Sequence, residues 1–237
     1  MRISDNHWLK LKPIAHRGLW GNGVTENSLS AYKLATQNGF PIEIDVYLTT
    51  DRHLVCFHDK TLDRMTGKKG LIFEKSLTEL NELSISSAGE KIPTLEQVLD
   101  LARGKSPLLI EIKDQKDKSV VDELVAILKK YDGEFAVQSF NPFYLMRLKK
   151  LAPEFLRGVL ATEYAEDQGA VTRWVLKHMP FNFIIKPDFI SYSFTGFPVK
   201  KRKAKNKALL AWTLTDEQSA KKVKNYCDNI IFEGFLP

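Results

Sequence analysis

The chain has 237 residues, 43% of them hydrophobic and 27% charged, with a formal net charge of +6 at neutral pH. No apolar run reaches the length of a membrane span, and Cys56 and Cys227 lie far apart in strand-like contexts without Cys/His zinc spacing. These features point away from a membrane-spanning, disulfide-stapled or zinc-finger protein and toward a globular chain with reduced thiols.

The positive excess is local. Lys200, Lys201, Arg202, Lys203, Lys205 and Lys207 stand together without an acid, and removing them leaves basic and acidic residues balanced at 29 each. Such a run reads as a solvated segment or as a weak contact for anionic membrane surfaces or phosphate-bearing ligands. Aromatic residues do not interleave with it, so no nucleic-acid partner is expected, and no obligate protein partner is evident. Residues Met1 to Trp8 contain an early acid and no apolar secretory core, which gives a cytoplasmic expectation.

Strand-like and helix-like runs alternate from the start. Pro13 to His16 reads as a first strand ending in Arg17-Gly18, followed by a polar loop and a helix that opens at Asn27 or Ser28 and stops at Asn38-Gly39. Ile42-Glu43-Ile44-Asp45-Val46 is a second strand, and period two puts Glu43 and Asp45 on one face. Too few residues follow for a parallel crossover, so Leu54 to His58 is expected to pair back antiparallel through the Thr50–His53 turn. That return brings His58 to the level of Glu43 and Asp45.

The segment from Lys60 to Ala88 is polar and irregular, with a short helix near Leu77 to Leu83, and has the length of an insertion. Thr94 caps the next helix, and Leu108 to Lys113 forms a third barrel strand with Glu111 and Lys113 on one face. A helix follows from Val120 to Lys130. Further strands read as Phe135 to Phe140, Leu156 to Leu160, Phe189 to Tyr192, Leu209 to Leu214 and Asn229 to Phe232, separated by mostly helical segments. Leaving out the hairpin return, eight strands alternate with helices, which predicts a single-domain (β/α)8 TIM barrel over residues 1–237 with an insertion at about 60–88.

In such a barrel the strand C-terminal ends build the site. His16 and Arg17 end the first strand, Glu43 and Asp45 the second, Glu111 and Lys113 the third. Three carboxylates form an oxygen-ligand set suited to Mg²⁺ or Ca²⁺, while Arg17 and Lys113 supply an anion clamp. His16 and His58 offer two imidazoles for acid–base work near neutral pH, the complement that phosphodiester cleavage needs. Asp59 either orients His58 or caps the next turn, and Trp212 is either core packing or an apolar wall for a substrate. His7, His53 and His178 read as structural or solvated.

These residues, read together with the runs around them, resemble the glycerophosphodiester phosphodiesterases. The shared motifs are His16-Arg17-Gly18, Glu26-Asn27-Ser28, Glu43-Ile44-Asp45-Val46, Thr50-Asp51, His58-Asp59, Leu62-Asp63-Arg64-Met65-Thr66, Ile92-Pro93-Thr94-Leu95, Glu111-Ile112-Lys113, Gln138-Ser139-Phe140 and Ala211-Trp212-Thr213, in family order over nearly the whole chain. The resemblance implies a barrel enzyme in which Glu43, Asp45 and Glu111 hold Mg²⁺ or Ca²⁺, His16 and His58 form the acid–base pair, and Arg17 and Lys113 contact phosphate. It further implies hydrolysis of glycerophosphodiesters to glycerol 3-phosphate and an alcohol, with the insertion sitting over the site. Thr215 and Glu233-Gly234 depart from the family pattern in the last two strands, which leaves the head-group wall undefined. The rival readings are a lysophospholipase D-like lipid phosphodiesterase and a barrel that binds phosphorylated ligands without turnover.

Overall fold

The computed structural model describes residues 3–163, 169–199 and 204–237. Its elements are α1 (Trp8–Leu11), β1 (Ile14–His16), α2 (Leu29–Gln37), β2 (Ile42–Leu48), β3 (Leu54–Cys56), α3 (Asp63–Thr66), α4 (Leu77–Asn81), α5 (Leu95–Ala102), β4 (Leu108–Ile112) and α6 (Val120–Leu128). They continue with β5 (Phe135–Ser139), α7 (Pro142–Leu151), β6 (Arg157–Ala161), α8 (Ala170–His178), α9 (Asn182–Ile185), β7 (Phe189–Ser193), β8 (Ala208–Leu214), α10 (Glu217–Val223) and β9 (Asn229–Phe232).

Eight parallel strands close on themselves. β1 pairs with β2 on one side, Ala15 opposite Ile42 and His16 opposite Glu43, and with β9 on the other, Ile14 opposite Ile231. The rest run in sequence order, and β3 adds an antiparallel return outside the closed ring, Val46 facing Cys56. This is the (β/α)8 barrel that the alternation predicts.

Period two sorts the strand residues into two layers. Ile42, Ile44 and Val46 of β2, with Leu108, Ile110 and Ile112 of β4, join Tyr32, Ala35, Val98 and Leu99 in the layer between sheet and helices. The alternate residues face the barrel axis, where Ile14, Leu109, Ala136, Phe189, Leu210 and Ile231 pack against Ile3, Trp8 and Leu9 from the N-terminal segment. Two residues further along the same strands, the inward face changes character: Ile14 gives way to His16, Leu109 to Glu111, Phe189 to Ser191, Leu210 to Trp212 and Ile231 to Glu233. The apolar plug thus ends where the polar site begins.

Gly158 on β6 makes room for that plug, since a Cβ there would stand 2.1 Å from the Phe189 ring. Gly18 is required for two reasons. Its φ is +84°, and an added Cβ would lie 2.7 Å from the Ala31 backbone of α2.

The insertion is better organised than its composition suggests. Leu62, Ile72, Leu80 and Ile85 form a satellite core with Tyr47, Val55 and Phe57 of the hairpin and with Ile92. Their spacing follows neither a helical nor a strand period, because each comes from a different short turn, so the pattern is silent in sequence. Ser76 and Glu79 form a capping box on α4, and Asp51 at the hairpin tip also accepts from Leu77 N at 2.9 Å. The helices α1 and α9, four residues each, escape periodicity for the same reason of length. Of the basic run, residues 200–203 lie outside the described residues. Among the described residues no helix is long and apolar enough to cross a membrane.

Candidate active site

The strand register brings the ionisable residues together. Asp45 faces Glu111 across β2 and β4, and Glu111 faces Gln138 across β4 and β5. Glu43, Asp45 and Glu111 each offer a carboxylate oxygen, these atoms lie within 4.8 Å of one another, and all three residues are buried. Lys113 reaches back over the group, its Nζ 2.9 Å from Glu111 Oε1 and 3.3 Å from Asp45 Oδ1. Arg17 approaches from the other side, Nε 3.6 Å from Asp45 Oδ2, while its backbone N–H donates to Glu43 Oε2 at 3.2 Å. A positive φ of 59° at Arg17, continued by Gly18, makes the turn that sends this guanidinium inward.

Two cations do not balance three buried acids. Burial, reinforced by the charges of Asp45 and Glu111, pushes the Glu43 carboxyl well above the usual carboxylate range. Burial also raises Glu111, with Lys113 opposing. Asp45 goes the other way: burial opposes its ionisation, but Lys113, His58 and Arg17 outweigh it and hold it well below its ordinary value. Burial works against the Lys113 ammonium, yet Asp45 and Glu111 keep it firmly charged. Asp45 Oδ1, though buried, accepts no well-aligned hydrogen bond and has only the Lys113 ammonium, 3.3 Å away, recorded against it. An oxygen cluster with surplus negative charge and a buried carboxylate oxygen short of donors fits a hard divalent cation.

Each candidate histidine has a carboxylate behind it. His16 Nδ1 lies 2.5 Å from Glu233 Oε2, leaving Nε2 turned toward the acids, 3.9 Å from Glu43 Oε2. His58 Nδ1 lies 2.8 Å from Asp59 Oδ1. Burial lowers the His58 pKa despite the opposing charge of Asp45, which favours a neutral ring. Asp59 therefore orients His58. Burial would raise the Asp59 carboxyl, but hydrogen bonds from Arg64 and His58 bring it down to about 2.

Several participants escape single-sequence reasoning about the site. Glu26 accepts from Arg17 Nη1 at 2.8 Å and from Arg64 Nη2 at 2.7 Å, while Arg64 Nε donates to Asp59 Oδ2 at 2.6 Å. Arg64 comes from the insertion, and no strand period announces it. Asn27 donates to Asp45 Oδ2 at 3.0 Å and is itself held by Tyr32 OH at 2.7 Å. For Glu233 a signal existed, since it continues the inward period from Ile231.

His16, Arg17, Glu43, His58, Glu111, Lys113 and Trp212 share one cavity of about 80 Å³, closed by Gln138, Phe140 and Leu160. Trp212 donates from Nε1 to Ser191 O at 2.9 Å and meets Phe140 edge to face at 5.6 Å, so its ring is fixed as part of the wall. A larger cavity of about 500 Å³ runs along α10 on the outside of the barrel, between Pro13 and Asn229 at one end and Glu217 and Phe235 at the other. It contains none of the acid cluster. His7 caps α1, accepting from Leu9 N at 3.2 Å, and His53 and His178 are exposed.

The sequence pattern of the glycerophosphoryl diester phosphodiesterase family matches residues 16–232. A glycerophosphodiester phosphodiesterase of Caldanaerobacter subterraneus is 34% identical over 246 aligned positions, covering 94% of each chain. A phosphodiesterase of Oleispira antarctica, solved with the product sn-glycerol-3-phosphate, superposes with a TM-score of 0.80 at 30% identity, covering 94% of this chain and 92% of its own. A glycerophosphodiester phosphodiesterase of Thermotoga maritima superposes at 0.73 with 25% identity, covering 93% and 94% of the two chains. The chain belongs to the glycerophosphoryl diester phosphodiesterase family.

Proposed function

We propose that this protein is a phosphoric diester hydrolase that converts glycerophosphodiesters to glycerol 3-phosphate and an alcohol, with residues 1–237 acting as one domain. The observation that carries this reading is the convergence of two carboxylate-backed imidazoles on a buried three-carboxylate cluster. Glu43, Asp45 and Glu111 would hold a divalent cation, Mg²⁺ or Ca²⁺. Bound there, the ion supplies positive charge against the phosphate oxygens.

Arg17 and Lys113 bind and orient the phosphoryl group, and Trp212 forms the wall against which the substrate lies. One imidazole of the His16–His58 pair takes the proton from a glycerol hydroxyl as its oxygen bonds to phosphorus. The other gives a proton to the leaving alcohol oxygen as the P–O bond breaks. The two rings then exchange roles: water loses a proton as it opens the cyclic phosphate, and the released glycerol oxygen gains one. Each ring ends in its starting state.

Two thiols that are free in the fold, Cys56 and Cys227, support a reducing, cytoplasmic setting for this reaction. The proposal is tested by presenting purified protein and Mg²⁺ or Ca²⁺ with glycerophosphocholine, glycerophosphoethanolamine and related diesters. Release of glycerol 3-phosphate is expected. Binding without turnover across the whole panel would instead favour the non-catalytic barrel.

A further inference from the structure

The residues lining the catalytic cavity divide by chemistry around the barrel. β1, β2, β4 and the hairpin return supply His16, Arg17, Glu43, His58, Glu111 and Lys113, all of them ionisable. The strands from β5 to β9, with the residues just after them, supply Gln138, Phe140, Leu160, Trp212, Thr213 and Ile231, none of them ionisable. In the reaction proposed above, the phosphoryl group and the attacking glycerol hydroxyl face the charged half. The glycerol arm carries one further hydroxyl, and that arrangement leaves it to the uncharged half.

Gln138 is the fixed polar group there. Its side chain is 1% exposed, and Oε1 accepts from Ser191 Oγ at 2.7 Å across β6, where Gly158 opposite Gln138 presents no side chain. Ser191 is itself fully buried, and its carbonyl accepts from Trp212 Nε1, so one residue positions both the amide and the indole. On its other side Gln138 stands beside Glu111 in register. A carbonyl oxygen turned away from Ser191 would face that carboxylate, so both neighbours favour the same end of the amide being held. Nε2 has no hydrogen-bond partner among the described residues, yet it is not sealed from solvent, and the space it opens on is the cavity that Gln138 lines. Trp212 has already spent its single N–H, and no partner among the described residues fixes the Thr213 hydroxyl. An amide N–H in such a place gains modestly from a ligand oxygen but is stranded by an apolar group, which is how a buried donor rejects a deoxy analogue.

We infer that Gln138 binds the glycerol hydroxyl that does not attack phosphorus, donating from Nε2 to its oxygen, and that Ser191 is the positioning residue that holds the amide for this contact. The inference deepens the proposed phosphodiesterase reading and rests on it for the class of ligand.

The test is titration calorimetry of the full chain, with Mg²⁺ or Ca²⁺ present, against sn-glycerol 3-phosphate and the matching enantiomer of propane-1,2-diol 1-phosphate, which lacks only that hydroxyl. The wild type should bind the first roughly ten-fold more tightly. In Gln138→Met, similar in length and without a strong donor, the two should bind within about two-fold of each other. Ser191→Ala should give an intermediate preference, and an unchanged one would remove Ser191 from the positioning role. If Gln138→Met does not fold, the double variant Gln138→Met/Ser191→Ala also removes the stranded hydroxyl and should show the same loss. Thr213→Val should keep the wild-type preference. No preference in the wild type, a preference that survives in the Gln138 variants, or its loss in Thr213→Val instead would overturn the inference. So would an equal weakening of both ligands, since Gln138 would then only support Glu111. Binding needs no turnover. The expected preference in a protein that hydrolyses no diester would leave this contact standing and sink the phosphodiesterase reading, while turnover without the preference would do the reverse.

Discussion

Glu233 Oε2 sits 2.5 Å from His16 Nδ1, so the last strand of the barrel orients the imidazole that ends the first. The two strands are neighbours only because the barrel closes, β1 pairing with β9. A carboxylate on Nδ1 leaves Nε2 as the ring atom available to a substrate, which is a positioning role for Glu233. Burial would raise the Glu233 carboxyl, but the hydrogen bond to His16 and its charge bring it below the usual range. Glu233→Gln is expected to lower kcat roughly 10- to 100-fold with little change in KM, and Glu233→Asp to recover part of the loss. An unchanged kcat in Glu233→Gln would remove the residue from the positioning of His16.

His16→Ala and His58→Ala should each reduce turnover by roughly two to four orders of magnitude. Circular dichroism and thermal melting should remain close to wild type, since both rings face the cavity and neither belongs to the packed core. Near-normal turnover in either variant would take that residue out of the acid–base pair.

Arg64 ties two parts of the site together, Glu26 behind Arg17 and Asp59 behind His58. Arg64→Ala is expected to lower kcat roughly 10-fold or more by releasing both. Arg64→Lys should fail to rescue it, because an ammonium cannot reproduce the forked contact to two carboxylates. There is also a signature in stability. Glu26 and Asp59 are both held below their ordinary values, Asp59 at about 2, so their contribution is present above the unfolded carboxylate range near about pH 4. It is lost as pH falls toward about 2. Urea midpoints should therefore separate wild type from Arg64→Ala at neutral pH and converge as the solution is acidified. A gap that widened in acid would contradict the network.

Gly158→Ala should destabilise the fold by about 1–3 kcal/mol through overpacking in the barrel interior, because the Phe189 ring already fills the place of a Cβ. Chemical denaturation measures the loss, and activity per folded molecule should be preserved. A neutral effect would mean that Phe189 can move aside.

Much of this architecture is legible in the chain. Eight strands follow from alternation and punctuation, and Glu43, Asp45 and Glu111 meet because period two and parallel register leave inward residues no other place to point. His58 reaches them through the hairpin, which the short Thr50–His53 turn dictates. Arg64 and Glu26 were harder to read as partners, since their contact depends on how the insertion folds over the barrel, with apolar residues spaced irregularly. Glu233 is marked in the sequence by its inward period after Ile231 and by its departure from a motif, but only closure between β1 and β9 gives it His16 as a partner.

The most direct test of the account is the release of glycerol 3-phosphate from glycerophosphocholine by the purified protein before chelation, after chelation with EDTA, and after addition of Mg²⁺ or Ca²⁺. The acid cluster at Glu43, Asp45 and Glu111 predicts turnover that is abolished by EDTA and restored by one of these ions. Full turnover in the chelated protein would contradict the assignment of the cluster. Absence of turnover with both ions, in folded protein and across the diester panel, would contradict the phosphodiesterase reading itself.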